Sequence, residues 1–118
     1  MVLAKWMRTL RFGNDLFRLI DSDSYFSSYQ EYIKGLLKRP QCIVRLALLS
    51  SDPDVCLGFS VSEPGALHYV WVQKDVRKAG IASALMQLPF SSITHLTNAG
   101  MTIWSKKYPN VKFNPFFN

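Results

Sequence analysis

Hydrophobic and polar positions change period several times along the chain, and those changes outline its elements. Tyr25, Phe26, Tyr29, Tyr32, Ile33, Leu36 and Leu37 recur at steps of three and four, the spacing of one helix face. Asp21 to Ser24 supplies capping side chains in front of this helix, and Pro40 ends it. The aromatic stripe reads first as core packing against a sheet, with some tyrosines free to line a cleft. Two runs, 42–49 and 55–62, read as strands joined by a hairpin loop at 50–54. In the second run Val55, Leu57, Phe59 and Val61 alternate with Cys56, Gly58, Ser60 and Ser62, a pattern with one face buried. Glu63-Pro64-Gly65 turns the chain into a third strand over 67–72.

Polar residues from Gln73 to Lys78 then break the run. Apolar side chains at Ile81, Leu85 and Leu88 predict a helix that stops at Pro89. A short strand over 93–98, a helix over 99–107 and a short aromatic segment over 111–117, interrupted by Pro115, complete the reading. The opening segment, 2–12, is ambiguous. Trp6, Arg8, Leu10 and Phe12 alternate as in an edge strand, and the same residues also fit a helix. Asn14 reads as a helix cap in front of Leu16, Phe17, Leu19 and Ile20.

The 118 residues suit one domain, 1–118, and an apolar content of 48% with 19% charged residues suits a folded one. No apolar run exceeds four residues, far short of a membrane span. Lys5, Arg8 and Arg11 are not followed by the apolar stretch of a secretory signal. Cys42 and Cys56 flank the hairpin, where Cys56 would face Leu48 and Cys42 would face Ser62. The two are therefore expected as free thiols in a reducing, cytoplasmic compartment. Neither they nor His68 and His95 have metal-ligand spacing, so no metal is expected.

The net charge of +6 is spread along the chain, which disfavours a nucleic-acid interface. Its one informative cluster is Lys74, Arg77 and Lys78, beside Gly80. There a strand meets a helix whose first N–H groups lack partners, an anion-binding arrangement. Walker and dinucleotide-binding loops need glycine patterns that are absent.

The motif present, Arg77-x-x-Gly80-x-Ala82 following Val72, resembles the pyrophosphate loop of the GNAT acyltransferase superfamily. The likeness is tight over 67–86 and looser over 42–108. It implies an α/β fold with a mixed, mainly antiparallel sheet flanked by helices. It also implies a strand over 2–12. Only one strand at most fits after the last helix, so the C-terminal strands are truncated relative to the family. The overall pattern resembles compact GNAT-like proteins of phages and prophages.

The resemblance further implies acetyl-CoA as cosubstrate and direct acetyl transfer to an amine of a small molecule or protein. Arg77, Lys78, Ala79, Gly80, Ile81, Ala82 and Ser83 would hold the pyrophosphate. Val70, Trp71 and Val72 would present their backbone to the thioester carbonyl and the pantetheine arm. The strand glutamate that often serves as base in the family is missing. His68, expected on the same strand face as Val70 and Val72, takes that place, with His95 and Glu63 behind it. Trp104 stands near the usual position of the acidic tyrosine, which leaves Tyr108, one turn later, as the proton donor. A rival expectation is a GNAT-like fold without catalysis. That module would bind a partner or a second subunit through Phe113, Phe116 and Phe117.

Overall fold

The computed structural model describes residues 2–77, 80–86 and 90–116. Helix α1, Val2–Gly13, replaces the strand expected there. The alternating pattern fails because Trp6, Met7 and Leu10 are all buried, a spacing of one, three and four that only a helix satisfies. Phe12, which alternation would bury, is 58% exposed. The helix is held by its contacts with the sheet. The Trp6 ring stacks in parallel on Tyr69 with centroids 5.4 Å apart, and Thr9 Oγ1 lies 2.8 Å from the Tyr69 hydroxyl.

Asn14 caps the short helix α2, Asp15–Arg18, accepting from the N–H groups of Leu16 and Phe17. Phe17 and Ile20 pack inward, whereas Leu16 and Leu19 point to solvent. Asp21 accepts from Ser24 N–H at the start of α3, Ser22–Ser24. A π-helical stretch, Tyr25–Tyr29, follows and runs into α4, Gln30–Leu37. Tyr25, Ile33 and Leu36 are buried in the same cluster as Trp6, Phe59, Val61 and Tyr69, with Tyr29 and Leu37 packed against it, so these members of the stripe are core, whereas Phe26 and Tyr32 are exposed.

Strands β1, Ile43–Leu49, β2, Asp52–Glu63, and β3, Gly65–Val72, form an antiparallel meander. Leu48 faces Cys56 as expected, but Ser62 pairs with Ile43 and leaves Cys42 outside the ladder. Both thiols are free. Pro64 and Gly65 form the turn into β3, Gly65 taking φ 87°, the sign this turn position favours. Ser60 and Ser62 were expected on an open face and are buried instead. The second face is covered by α5, Ile81–Leu85, and Ser60 Oγ donates to the Leu85 carbonyl at 3.0 Å.

Beyond a 3₁₀ turn, Lys74–Val76, and α5, the chain returns as β4, Phe90–Ile93, parallel to β3. The strand expected over 93–98 thus lies earlier. Thr97 accepts from Gly100 N–H and starts α6, Asn98–Lys107. A two-residue β5, Lys112–Phe113, adds to β4 in parallel. The result is an α/β fold with a five-stranded mixed sheet, β1-β2-β3-β4-β5, flanked by helices. Among the described residues no helix is long and apolar enough to cross a membrane.

Gly58 explains how closely β2 approaches β3. A Cβ there would meet the Trp71 carbonyl oxygen at 2.6 Å and Val72 Cα at 3.2 Å. Both are backbone atoms, so no rotamer change relieves the clash. Gly58→Ala is expected to cost about 1–3 kcal/mol, read as a lower urea midpoint. An unchanged midpoint would mean that the strands part freely.

Candidate functional site

The site arises where β3 and β4 separate. Their parallel register runs Gly65 with Phe90, Ala66 with Ser92 and Leu67 with Ile93. The last link is Thr94 N–H to the Leu67 carbonyl, at 3.0 Å. On the opposite edge Leu67 pairs with Ser62 and Tyr69 with Val61, so His68 has no opposite number on β2. An extra residue of this kind is a β-bulge, which bends a strand and re-aims its side chains. Past it, β3 continues beside β2 while the other chain turns away into α6.

A cavity of about 70 Å³ fills the gap. Val70 of β3, Ala82 of α5, Met86, His95, Leu96 and Tyr108 line it, and Trp104 of α6 adds its ring. Trp104 is itself fixed by an Nε1–H bond of 2.6 Å to the Val111 carbonyl. The lining is almost wholly apolar, with His95 and Tyr108 as its titratable side chains.

Four expected site residues, Val70, Ala82, His95 and Tyr108, therefore meet at one cavity. Others do not. His68 was expected on the face of Val70, yet it lines no part of the cavity. Leu67 and Val70, three positions apart, share one cluster, which strict alternation forbids. The bulge at His68 is the break. Trp71 turns its ring to Phe59 and the α1 side, with Lys5 Nζ 5.0 Å from its centroid, so it has only its backbone to offer a ligand. The Val72 carbonyl already accepts from Arg77 Nε at 3.1 Å, so this arginine folds back on its own strand. Gly80 adopts φ 83°, left-handed, at the start of α5. The N–H groups of Ile81, Ala82 and Ser83 precede the first helical bond, Ala84 N–H to the Gly80 carbonyl. The expected helix to Leu88 ends at Leu85. Lys78 and Ala79, with Leu88 and Pro89, lie outside the described residues.

His68 belongs to a buried polar chain. Arg39 Nη1 lies 2.7 Å from Glu63 Oε1, and the same oxygen is 3.3 Å from His68 Nε2. His68 Nδ1 is 2.9 Å from Thr94 Oγ1, which is 2.7 Å from His95 Nδ1. The chain begins at the half-buried Arg39 and ends at a residue of the cavity wall. Burial pushes the His68 pKa down, against the pull of Glu63 and with a smaller push from Arg39. Burial likewise drives His95 down to about 3, helped by His68 and partly offset by the His68 carbonyl. Trp6, Tyr29 and Tyr32 ring the His95 imidazole at 5.3, 5.7 and 5.9 Å. Both histidines are neutral at pH 7.

Sequence reasoning named His68, His95 and Glu63 singly and missed Arg39 and Thr94. No local spacing links them. Parallel pairing of Leu67 with Ile93 is what places Thr94 and His95 beside His68. No family model matches the chain, and neither a curated protein nor a solved structure matches it.

Proposed function

We propose that the protein binds acetyl-CoA in the gap between β3 and β4 and transfers the acetyl group directly to an amine. The parting of the two parallel strands over an apolar cavity carries this reading. Val70 on one wall and Tyr108 on the other face the same space, and the Gly80 turn lies at the α5 end of it. A thioester entering there would lie beside the free-running half of β3, whose backbone N–H groups supply polarisation of its carbonyl. The turn at Arg77-x-x-Gly80-x-Ala82 would take the pyrophosphate, as in the GNAT acyltransferases it resembles. The size of the cavity favours a short acyl group. Apolar cavities of about 150 Å³ admit benzene, and this one is about 70 Å³.

Acetyl-CoA titrated into the wild type in a calorimeter is expected to bind with a micromolar Kd, about −8 kcal/mol. Gly80→Asp is expected to weaken binding at least tenfold. A side chain at Gly80 meets nothing of the described residues within 4 Å, so the loss would come from charge beside phosphate and from the left-handed φ. That conformation costs a non-glycine residue about 1–2 kcal/mol. A folded wild type that ignores acetyl-CoA defeats the proposal.

A second reading, a binding module without catalysis, is favoured by the C-terminal edge. Phe113 on β5 and Phe116 beyond it are exposed, Phe116 at 83%, and Phe117 lies outside the described residues. Failure of acetyl-CoA binding would turn the search to a protein partner or second subunit on that edge.

A further inference from the structure

We propose that Glu63, His68 and Thr94 form a proton relay whose terminus, His95 Nε2, is the proton acceptor of the cavity. The assignment of His95 to chemistry rests on the acetyl-transfer reading; the relay itself does not.

The donor and acceptor capacities of these groups suit one direction of the chain. Glu63 Oε1, held by Arg39, is 3.3 Å from His68 Nε2, and the carboxylate beside that nitrogen favours the His68 proton there. In the neutral ring Nδ1 is then an acceptor, and it faces Thr94 Oγ1 at 2.9 Å. Thr94 has one proton. Its two acceptors on this side are His68 Nδ1 and the His68 carbonyl, at 3.2 Å. With that proton committed to His68, Thr94 accepts from His95, whose Nδ1 lies 2.7 Å away. His95 therefore carries its proton on Nδ1. Nε2, at the far end of the ring, keeps its lone pair on a residue that lines the cavity.

The same chain solves a difficulty that a lone His95 would face. Burial makes its imidazolium costly, and among the described residues no carboxylate contacts it directly. A proton accepted at Nε2 need not stay there. The Nδ1 proton passes to Thr94 Oγ1, the Thr94 proton passes to His68 Nδ1, and the positive charge comes to rest on His68 against Glu63. His95 is left neutral with its proton on Nε2. One proton enters, three bonds shift, and no co-reactant is consumed. Reversal of the shift resets the relay. In acetyl transfer, a neutral amine nitrogen bonds to the thioester carbonyl carbon and the C–S bond breaks. The CoA thiolate leaves, and the surplus ammonium proton goes to His95 Nε2. His95 is the catalytic residue in this scheme; Thr94, His68 and Glu63 position it and receive the charge. His68, the expected base, acts at one remove.

Two measurements test this. The first needs no ligand. Ring-nitrogen correlation spectra of protein labelled with ¹⁵N-histidine, at pH 7, are expected to show His95 protonated on Nδ1 and His68 on Nε2. Thr94→Val should mix the His95 tautomers, and Thr94→Ser should restore one. A His95 proton on Nε2 in the resting wild type overturns the relay. The second reads thiol release from acetyl-CoA with hydroxylamine, a nucleophile already neutral at pH 7. His95→Gln is expected to lower the rate about 100-fold or more, far beyond any change in acetyl-CoA affinity. Thr94→Val should lower kcat about tenfold at constant KM, and Thr94→Ser should recover it. Wild-type rates in His95→Gln, or binding without any thiol release by the wild type, overturn the catalytic role and leave the acetyl-CoA site standing. Absence of acetyl-CoA binding removes the transfer reading instead, and the ring spectra still decide the relay.

Discussion

Trp6→Ala is expected to lower the unfolding free energy by about 3–5 kcal/mol, the cost of emptying a large buried aromatic site. That is a large part of the roughly 5–15 kcal/mol that holds a small domain together. Trp6 is wholly buried, lies flat on Tyr69 and meets His95 edge-on, so one side chain joins α1, β3 and the end of the polar chain. Neighbouring side chains cannot collapse into the space without giving up those ring contacts. Its indole Nε1 has no hydrogen-bond partner among the described residues, which separates two contributions. Trp6→Phe loses area but no hydrogen bond, and should cost less than half as much as alanine. Urea unfolding of the three proteins measures both steps. An alanine variant within 1 kcal/mol of wild type, a bound set well under the range above, would mean that α1 is not docked on the sheet.

Acid should unfold the protein earlier than its carboxylates alone would require. His68 and His95 titrate below their unfolded value of about 6.5 because burial opposes their charged forms. Below that value the unfolded chain binds more protons than the folded one, so stability falls as pH falls. The contribution is complete above about pH 7.5 and, for His95, drains away between about 6.5 and about 3. The slope is about 1.4 kcal/mol per pH unit for one proton, and the total for His95 reaches about 4–5 kcal/mol at most. Urea unfolding at pH 7, 6 and 5 should show this decline in the wild type. His95→Gln should give a line flatter by about one proton, although it starts from lower stability. Parallel lines would place His95 in contact with water and contradict its enclosure by Trp6, Tyr29 and Tyr32.

The sequence was most legible where one pattern had a single structural solution. The Tyr25–Leu37 stripe, the hairpin and the strand at 67–72 each combine a clear period with a capping or turn residue, and each formed, although β2 already begins at Asp52 and shortens the loop expected over 50–54. Asn14, Asp21 and Gly65 took the capping and turn roles that their chemistry suits. The opening segment misled because Trp6, Leu10 and Phe12 satisfy a period of two, while burial of Met7 selects a period near four. β2 misled because Ser60 and Ser62 look solvent-facing until α5 is laid over them. The cavity was half legible. Val70, Ala82, His95 and Tyr108 were named for it, but the bulge that turns His68 away leaves no trace in composition. The polar chain was illegible as a unit. Thr94 is an ordinary threonine until parallel pairing, a contact between distant segments, sets it between two histidines.

The docking of α1 on β3 has a consequence for synthesis. Thr9 and Tyr69 touch across 60 residues of chain. At about 5–20 residues per second, the ribosome makes α1 several seconds before the surface it rests on. During that interval Trp6, Met7 and Leu10 have no native partner, and the meander that will receive them is still incomplete. Helix α1, made before the meander, thus waits for its place, and its apolar face is one that a holding chaperone would meet on the nascent chain.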